Sequence, residues 1–159
     1  MFKKLFSKKE PKTYGPTEPI YPAELFGVSE ITDANGFFGI ANINKSYDNY
    51  PNKKYFPWWI QVTLELEDVD DRKMPTASES QILNDLEDKI EAFISDKHKT
   101  HLIGRVTQNG FRDLIFYIDL PRFNQEKTNI FFDQIQEIRR VNFAMEKDIN
   151  WNNVSGLIK

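Results

Sequence analysis

The sequence predicts an α+β fold in which two helices cover one face of an antiparallel sheet, with an extra hairpin ahead of it. Three observations carry this expectation. Apolar and polar residues alternate strictly from Trp58 to Glu67, apolar stripes at helical spacing lie over 82–94 and 130–138, and the dipeptides Asn35-Gly36 and Asn109-Gly110 mark hairpin turns.

The elements follow in order. Residues 1 to about 24 read as a flexible Lys- and Pro-rich tail, because Pro11, Pro16, Pro19 and Pro22 lie too close together for a helix or a central strand. Within it Phe2, Leu5 and Phe6 stand beside Lys3, Lys4, Lys8 and Lys9, so residues 1–9 could touch an anionic membrane surface weakly as one amphipathic turn. A solvated terminus is the favoured alternative, since so short a helix is marginal alone. Val28 to Tyr47 reads as a hairpin about Asn35-Gly36, and 48–54 as a polar loop. Trp58, Ile60, Val62, Leu64 and Leu66 then form the dry face of a strand. A first helix opens at Thr76 or Ser78, with Glu79 or Gln81 completing a capping box, and carries Ile82, Leu83, Leu86, Ile90, Phe93 and Ile94 to about Lys97. His101–Gln108 and Phe111–Leu120 make a second hairpin. A second helix over about 125–140 turns Ile130, Phe131, Ile135 and Ile138 inward, and Val141, Phe143 and Met145 begin a last strand. The order β-α-β-β-α-β is that of a ferredoxin-like two-layer sandwich, here over 56–147, with an N-terminal β-hairpin at 28–47 that extends the sheet or covers its edge.

Length and composition bound the rest. The 159 residues suit a single α+β domain over 25–159, and 40% apolar with 28% charged residues is an ordinary globular balance. There is no Cys, which removes disulfides, thiolate metal sites and cysteine nucleophiles. Apolar runs such as Phe56–Ile60 fall far short of the roughly 20 residues that cross a bilayer, and no apolar stretch follows the basic N-terminus before Pro11, so a cytoplasmic protein is expected. The net charge of −3 disfavours nucleic acid as the main partner.

Several short motifs stand in a recognisable order: Tyr55-Phe56-Pro57-Trp58-Trp59, Met74-Pro75-Thr76, Leu86-Glu87-Asp88, the run Gly104 to Asp113, Phe116-Tyr117, and Lys147-Asp148-x-x-Trp151. In this the chain resembles a bacterial family, the domain of unknown function numbered six hundred and ninety-five, over roughly residues 26–155. The resemblance implies a fold and no catalytic residue or cofactor. It also implies an architecture similar to the ribonuclease E activity regulator B, which binds an enzyme and restrains it, and so raises a binding role by analogy of fold.

The 104–113 hairpin carries the densest polar set on regular structure: Arg105, Thr107, Asn109, Arg112 and Asp113. A turn with a bulged residue at Gly110 sets Leu102 and Val106 with Leu114 and Phe116, leaving Arg105, Thr107, Asp113 and Tyr117 on the outer face beside Trp59, Gln61, Thr63 and Glu65. A tight two-residue turn sets Arg105 with Leu114 instead, and amphipathicity favours the bulged turn. The outer face would suit another protein, and its general geometry is shared with sheets that stack RNA bases, although the basic aromatic signature of those sheets is missing. In the bland reading Arg105 pairs with Asp113 or Glu65 and Trp59 packs under the first hairpin. Trp151 is a candidate partner anchor, with packing onto the body preferred.

No catalytic residue, cofactor or metal is expected. His98 and His101 with nearby Asp96 lack a third ligand, Glu65, Glu67, Asp68, Asp70 and Asp71 lack the pattern of a calcium loop, and no phosphate loop or triad can be nominated. The expected function is a non-enzymatic protein-binding or regulatory module using the open sheet face or the edge hairpin. The alternatives are an enzyme with a site at Arg105, Thr107, Arg112 and Tyr117, and, with less support, an RNA-binding module.

Overall fold

The structure, a computed structural model, describes residues 15–159. Its elements are β1 (Phe26–Thr32), β2 (Phe38–Asn44), β3 (Trp58–Glu65), α1 (Ala77–Ser95), β4 (Thr100–Gln108), β5 (Phe111–Ile118), α2 (Gln125–Ile138) and β6 (Val141–Lys147). The strands form one six-stranded antiparallel sheet in the order β1-β2-β4-β5-β3-β6. The N-terminal hairpin therefore extends the sheet through β2–β4 pairing.

The alternation in β3 sends Ile60, Val62 and Leu64 to the helix side, where they meet Leu114, Phe116 and Ile118 and the α1 stripe of Leu83, Leu86, Ile90 and Ile94. Each fully buried aliphatic chain contributes roughly 1.5–3 kcal/mol of transfer free energy. Thr76 caps α1, its hydroxyl accepting from the Glu79 N–H at 3.3 Å. Glu79 does not return the bond to Thr76. Its buried carboxylate instead accepts from Arg139 Nε and Nη2 at 2.8 and 2.7 Å, and that guanidinium holds its pKa below the ordinary range. The other end of α1 is closed by His98, whose Nδ1 bonds the Ile94 carbonyl at 2.6 Å.

In α2 the expected inward set is corrected. Ile135 is buried and Phe131 packs against the core as expected, but Ile130 and Ile138 are 53% and 39% exposed, and Phe132 takes their place. The rings win because they find other rings: Phe131 stacks on Phe93 at 4.1 Å and Phe132 meets Phe143 at 5.3 Å.

The register of the second hairpin is also corrected. Its turn is tight: Gln108 faces Phe111, and Asn109 and Gly110 both have positive φ, 51° and 81°. The irregularity lies seven residues earlier in the chain from Gly110, between Leu102 and Gly104, where Ile103 has no partner on β5. Gly104 has φ 153°, and a Cβ there would collide with the Asn42 carbonyl of β2. The bulge lets Leu102 and Arg105 both face the helices, so Arg105 and Thr107 lie on the side opposite to the one expected.

The face away from the helices is half covered by the chain itself. Tyr47, Tyr50 and Phe56 from the β2–β3 connection, and Trp151, Val154 and Ile158 from the C-terminal segment, pack on Ala41, Ile43, Ile103, Ile115 and Tyr117. Residues 15–24, expected as tail, also contact the body: Asn52 bonds both Thr17 backbone groups, Tyr50 Oη donates to the Ile20 carbonyl at 2.6 Å, and Tyr21 lies over His101. The amphipathic turn expected at 1–9 lies outside the described residues. Among them no helix is long and apolar enough to cross a membrane.

Candidate functional site

The core beneath the helices draws on β3, β4, β5 and β6 and not on β1 or β2. The added hairpin thus carries the sheet beyond the helical layer. Cross-strand pairing aligns two helix-side rows over this uncovered part, Val28–Asn42–Arg105–Leu114 and Glu30–Ile40–Thr107–Arg112. A trough of about 370 Å³ opens between them, the N-terminal turns of α1 and the 70–75 loop. Arg72, Arg105, Arg112, Thr107 and Ser80 supply its polar lining, and Val28, Ile40, Met74 and Pro75 its apolar wall.

The trough floor is built around Arg112, only 5% exposed. Its Nε donates to Thr107 Oγ1 at 3.0 Å and its Nη1 to Asn84 Oδ1 at 3.1 Å. Arg105 donates to the same Asn84 oxygen and to Glu87 Oε2, both at 3.0 Å. Glu87 is the carboxylate shared by the pair, since it stands 4.0 Å from Arg112. Burial, and then repulsion from Arg105, lower the Arg112 pKa to about 10, so the guanidinium stays charged at neutral pH. Thr107 accepts from Arg112, which leaves its hydroxyl hydrogen to donate. Asn42 Oδ1, buried and directly across from Arg105, has no partner among the described residues. Asp70, the carboxylate in the lining, accepts from the Arg72 and Met74 N–H groups at 2.8 and 3.0 Å and so holds the loop turn. Such a site can hold an anion with the guanidinium N–H groups left free by these bonds and with hydroxyls. The carboxylates beside them among the described residues, Glu87 and Asp70, are taken up by Arg105 and by loop N–H groups.

The structure divides the residues expected at a binding face. Arg105, Thr107 and Arg112 converge in the trough. Trp59, Gln61, Thr63, Asp113 and Tyr117 lie on the opposite face. There Thr63 donates to Asp113 Oδ1 at 2.6 Å, and burial raises the Asp113 pKa. The bland pairings are corrected too, because Arg105 takes Glu87 while Glu65 takes Arg140 at 3.6 Å. Trp59, opposite Tyr117, packs against the aromatic cover of this face, the group that includes Tyr117 and Trp151. Tyr117 and Trp151 are both 0% exposed and stacked at 4.0 Å, so neither can serve as a surface anchor. The Asp148 carboxylate accepts from Tyr117 Oη, Asn152 N and Asn153 N, and the turn so formed delivers the Trp151 indole N–H to the Phe56 carbonyl at 2.9 Å. That explains the Asp-x-x-Trp spacing.

The histidines do not form a metal site. His98 uses both ring nitrogens on backbone groups, accepting from Arg122 N at 2.8 Å through Nε2. His101 is buried among rings, with Tyr47 Oη 2.9 Å from Nδ1 and Tyr50 Oη 3.3 Å from Nε2, and burial lowers its pKa to about 4. No group of three or more metal-ligating side chains occurs among the described residues. Sequence reasoning missed the partners that α1 and the 70–75 loop bring to the trough: Asn84, Glu87, Ser80 and Arg72. Glu87 stood in a quoted motif, but only the bulge at Gly104 turns Arg105 toward it.

A family model described as "Family of unknown function (DUF695)" matches residues 31–154. The chain belongs to this family. No curated protein and no solved structure matches it. The DUF695 match takes in every residue of the trough except Val28.

Proposed function

We propose that the protein is a non-enzymatic binding module whose recognition site is the trough beneath the added hairpin, accepting an anionic group. One observation carries this reading: a buried guanidinium and its neighbour share a single carboxylate at the floor of an open cavity. Cations and hydroxyls whose neighbouring carboxylates are already engaged favour holding over turnover, which sets the reading above an enzyme at the same residues. The test is calorimetric titration with inorganic sulfate at fixed ionic strength. A saturable site that Arg105→Gln weakens at least tenfold supports the reading, and equal binding by both proteins contradicts it.

A protein partner at the hairpin edge is the second reading. It is favoured by the edge strand β1, where Phe26 and Val28 are exposed by 42% and 71% and Leu25 just before it by 64%. The fold reading is sharpened in the same way: we propose a ferredoxin-like core, supported by the order β4-β5-β3-β6 with one helix after β3 and one after β5. By analogy of fold this supports a regulatory role of the kind played by the ribonuclease E activity regulator B.

A further inference from the structure

The trough is chemically two-sided, and this points to a class of ligand. Its floor offers Arg105, Arg112 and the Thr107 hydroxyl, and Ser80 adds a second hydroxyl from the first turn of α1, where the helix dipole also favours negative charge. Its outer wall, toward the free edge of the sheet, is Val28 and Ile40. The volume of about 370 Å³ falls in the range of small-molecule pockets, roughly 300–1,000 Å³, and leaves room beyond one oxyanion. Arg72, Arg105 and Arg112 stand against Glu87, Asp70 and Glu30, but Asp70 is engaged by the loop N–H groups and Glu30 stands on the edge strand, so the floor itself, two arginines sharing Glu87, is cationic. A planar carboxylate can engage one guanidinium fork. A tetrahedral group presents three oxygens, enough for the guanidinium N–H groups that Asn84, Glu87 and Thr107 leave free and for the hydroxyls together.

We propose that the ligand is an organic phosphate, its phosphate group on Arg105, Arg112 and Thr107 and its apolar body along Val28 and Ile40. This rests on the reading of the trough as an anion-recognition site. Val28 is then the residue that sets specificity for the body. It is exposed, so replacing it leaves the fold intact.

The test compares phenyl phosphate, inorganic phosphate, inorganic sulfate and benzoate by calorimetry at fixed ionic strength, on the wild type and on Val28→Ser. Phenyl phosphate is expected to bind about tenfold more tightly than inorganic phosphate, the gain from shielding one ring from water, and benzoate more weakly than either. Val28→Ser removes that gain and leaves inorganic phosphate unchanged. Phenyl phosphate affinity rises as pH passes the second pKa of a phosphate monoester, about 6, while sulfate affinity stays flat. Equal affinities for the two phosphates, tighter benzoate, or a gain that survives Val28→Ser overturns the proposal while sulfate binding leaves the trough in place. Failure of every anion to bind removes both.

Discussion

On the face away from the helices the chain covers its own sheet, with Tyr47, Tyr50, Phe56 and Trp151 laid over Ile43, Ile103, Ile115 and Tyr117. On the helix side the added hairpin runs past α1 and leaves Arg105 and Arg112 at the floor of an open trough. Both regions are rich in groups that look functional in sequence: rings and a histidine on one, arginines and hydroxyls on the other. In the first these groups are closed off by packing, and the Tyr47, Tyr117, Trp151 and His101 polar atoms also by internal hydrogen bonds, while the Trp59 indole N–H is buried without a partner among the described residues. In the second the charges are only partly matched, and solvent reaches Arg105 while Arg112 lies just beneath it. The difference separates residues that hold the fold from residues able to meet a ligand, and it makes opposite demands on mutation.

The largest expected effect lies on the sealed face. Trp151→Ala removes a ring with no exposed surface and should cost about 3–5 kcal/mol, read as a lowered denaturation midpoint, with sulfate affinity unchanged wherever the protein remains folded. A small loss would mean that the C-terminal cover is not part of the stability core.

The same face should respond to acid. His101 is a base whose folded pKa, about 4, lies below its unfolded value near 6.5. The unfolded chain therefore binds the proton first as pH falls. Stability is full above about pH 6.5 and declines toward pH 4, by on the order of 3 kcal/mol for this residue. Among the described residues the rings of Tyr21, Tyr47, Tyr50, Phe56 and Trp151 surround it, and burial is the cause of the shift. Denaturant titrations at several pH values should show a shallower decline in His101→Gln.

Gly104→Ala joins the two regions, because it strains the bulge that aims Arg105. A destabilisation of about 1–3 kcal/mol is expected, together with weaker sulfate binding, and unaltered binding would show that the bulge does not set the site. The smallest change in stability belongs to Arg105→Gln. Its ion pair is partly exposed and should be worth about 0.2–1 kcal/mol, while anion affinity falls at least tenfold.

Much of the fold was legible because it rests on local signals: alternation in β3, the stripe of α1, and Asn-Gly turns. The inward set of α2 was legible only in Phe131 and Ile135, since the contact of Phe132 with Phe143 decides the rest, and that is a tertiary contact. The site was half legible. Arg105, Thr107 and Arg112 stood out as polar residues in a strand pair, but reading the alternation straight through β4 put Arg105 and Thr107 on the wrong face. Gly104, an isolated glycine inside a strand, was the available signal for a bulge. Burial of Trp151 and Tyr117 depends on the turn that Asp148 organises some 30 residues from Tyr117 in sequence, beyond what any local pattern reports.

The most direct measurement follows the arginine Nε–Hε and backbone amide resonances of the protein during a titration with inorganic sulfate at fixed ionic strength. Saturable shifts at Arg105, Arg112 and Thr107, with His101 and Trp151 unmoved, are the predicted result. Uniform small shifts, or shifts confined to the face that carries Asp113, would contradict the assignment of the trough as the recognition site.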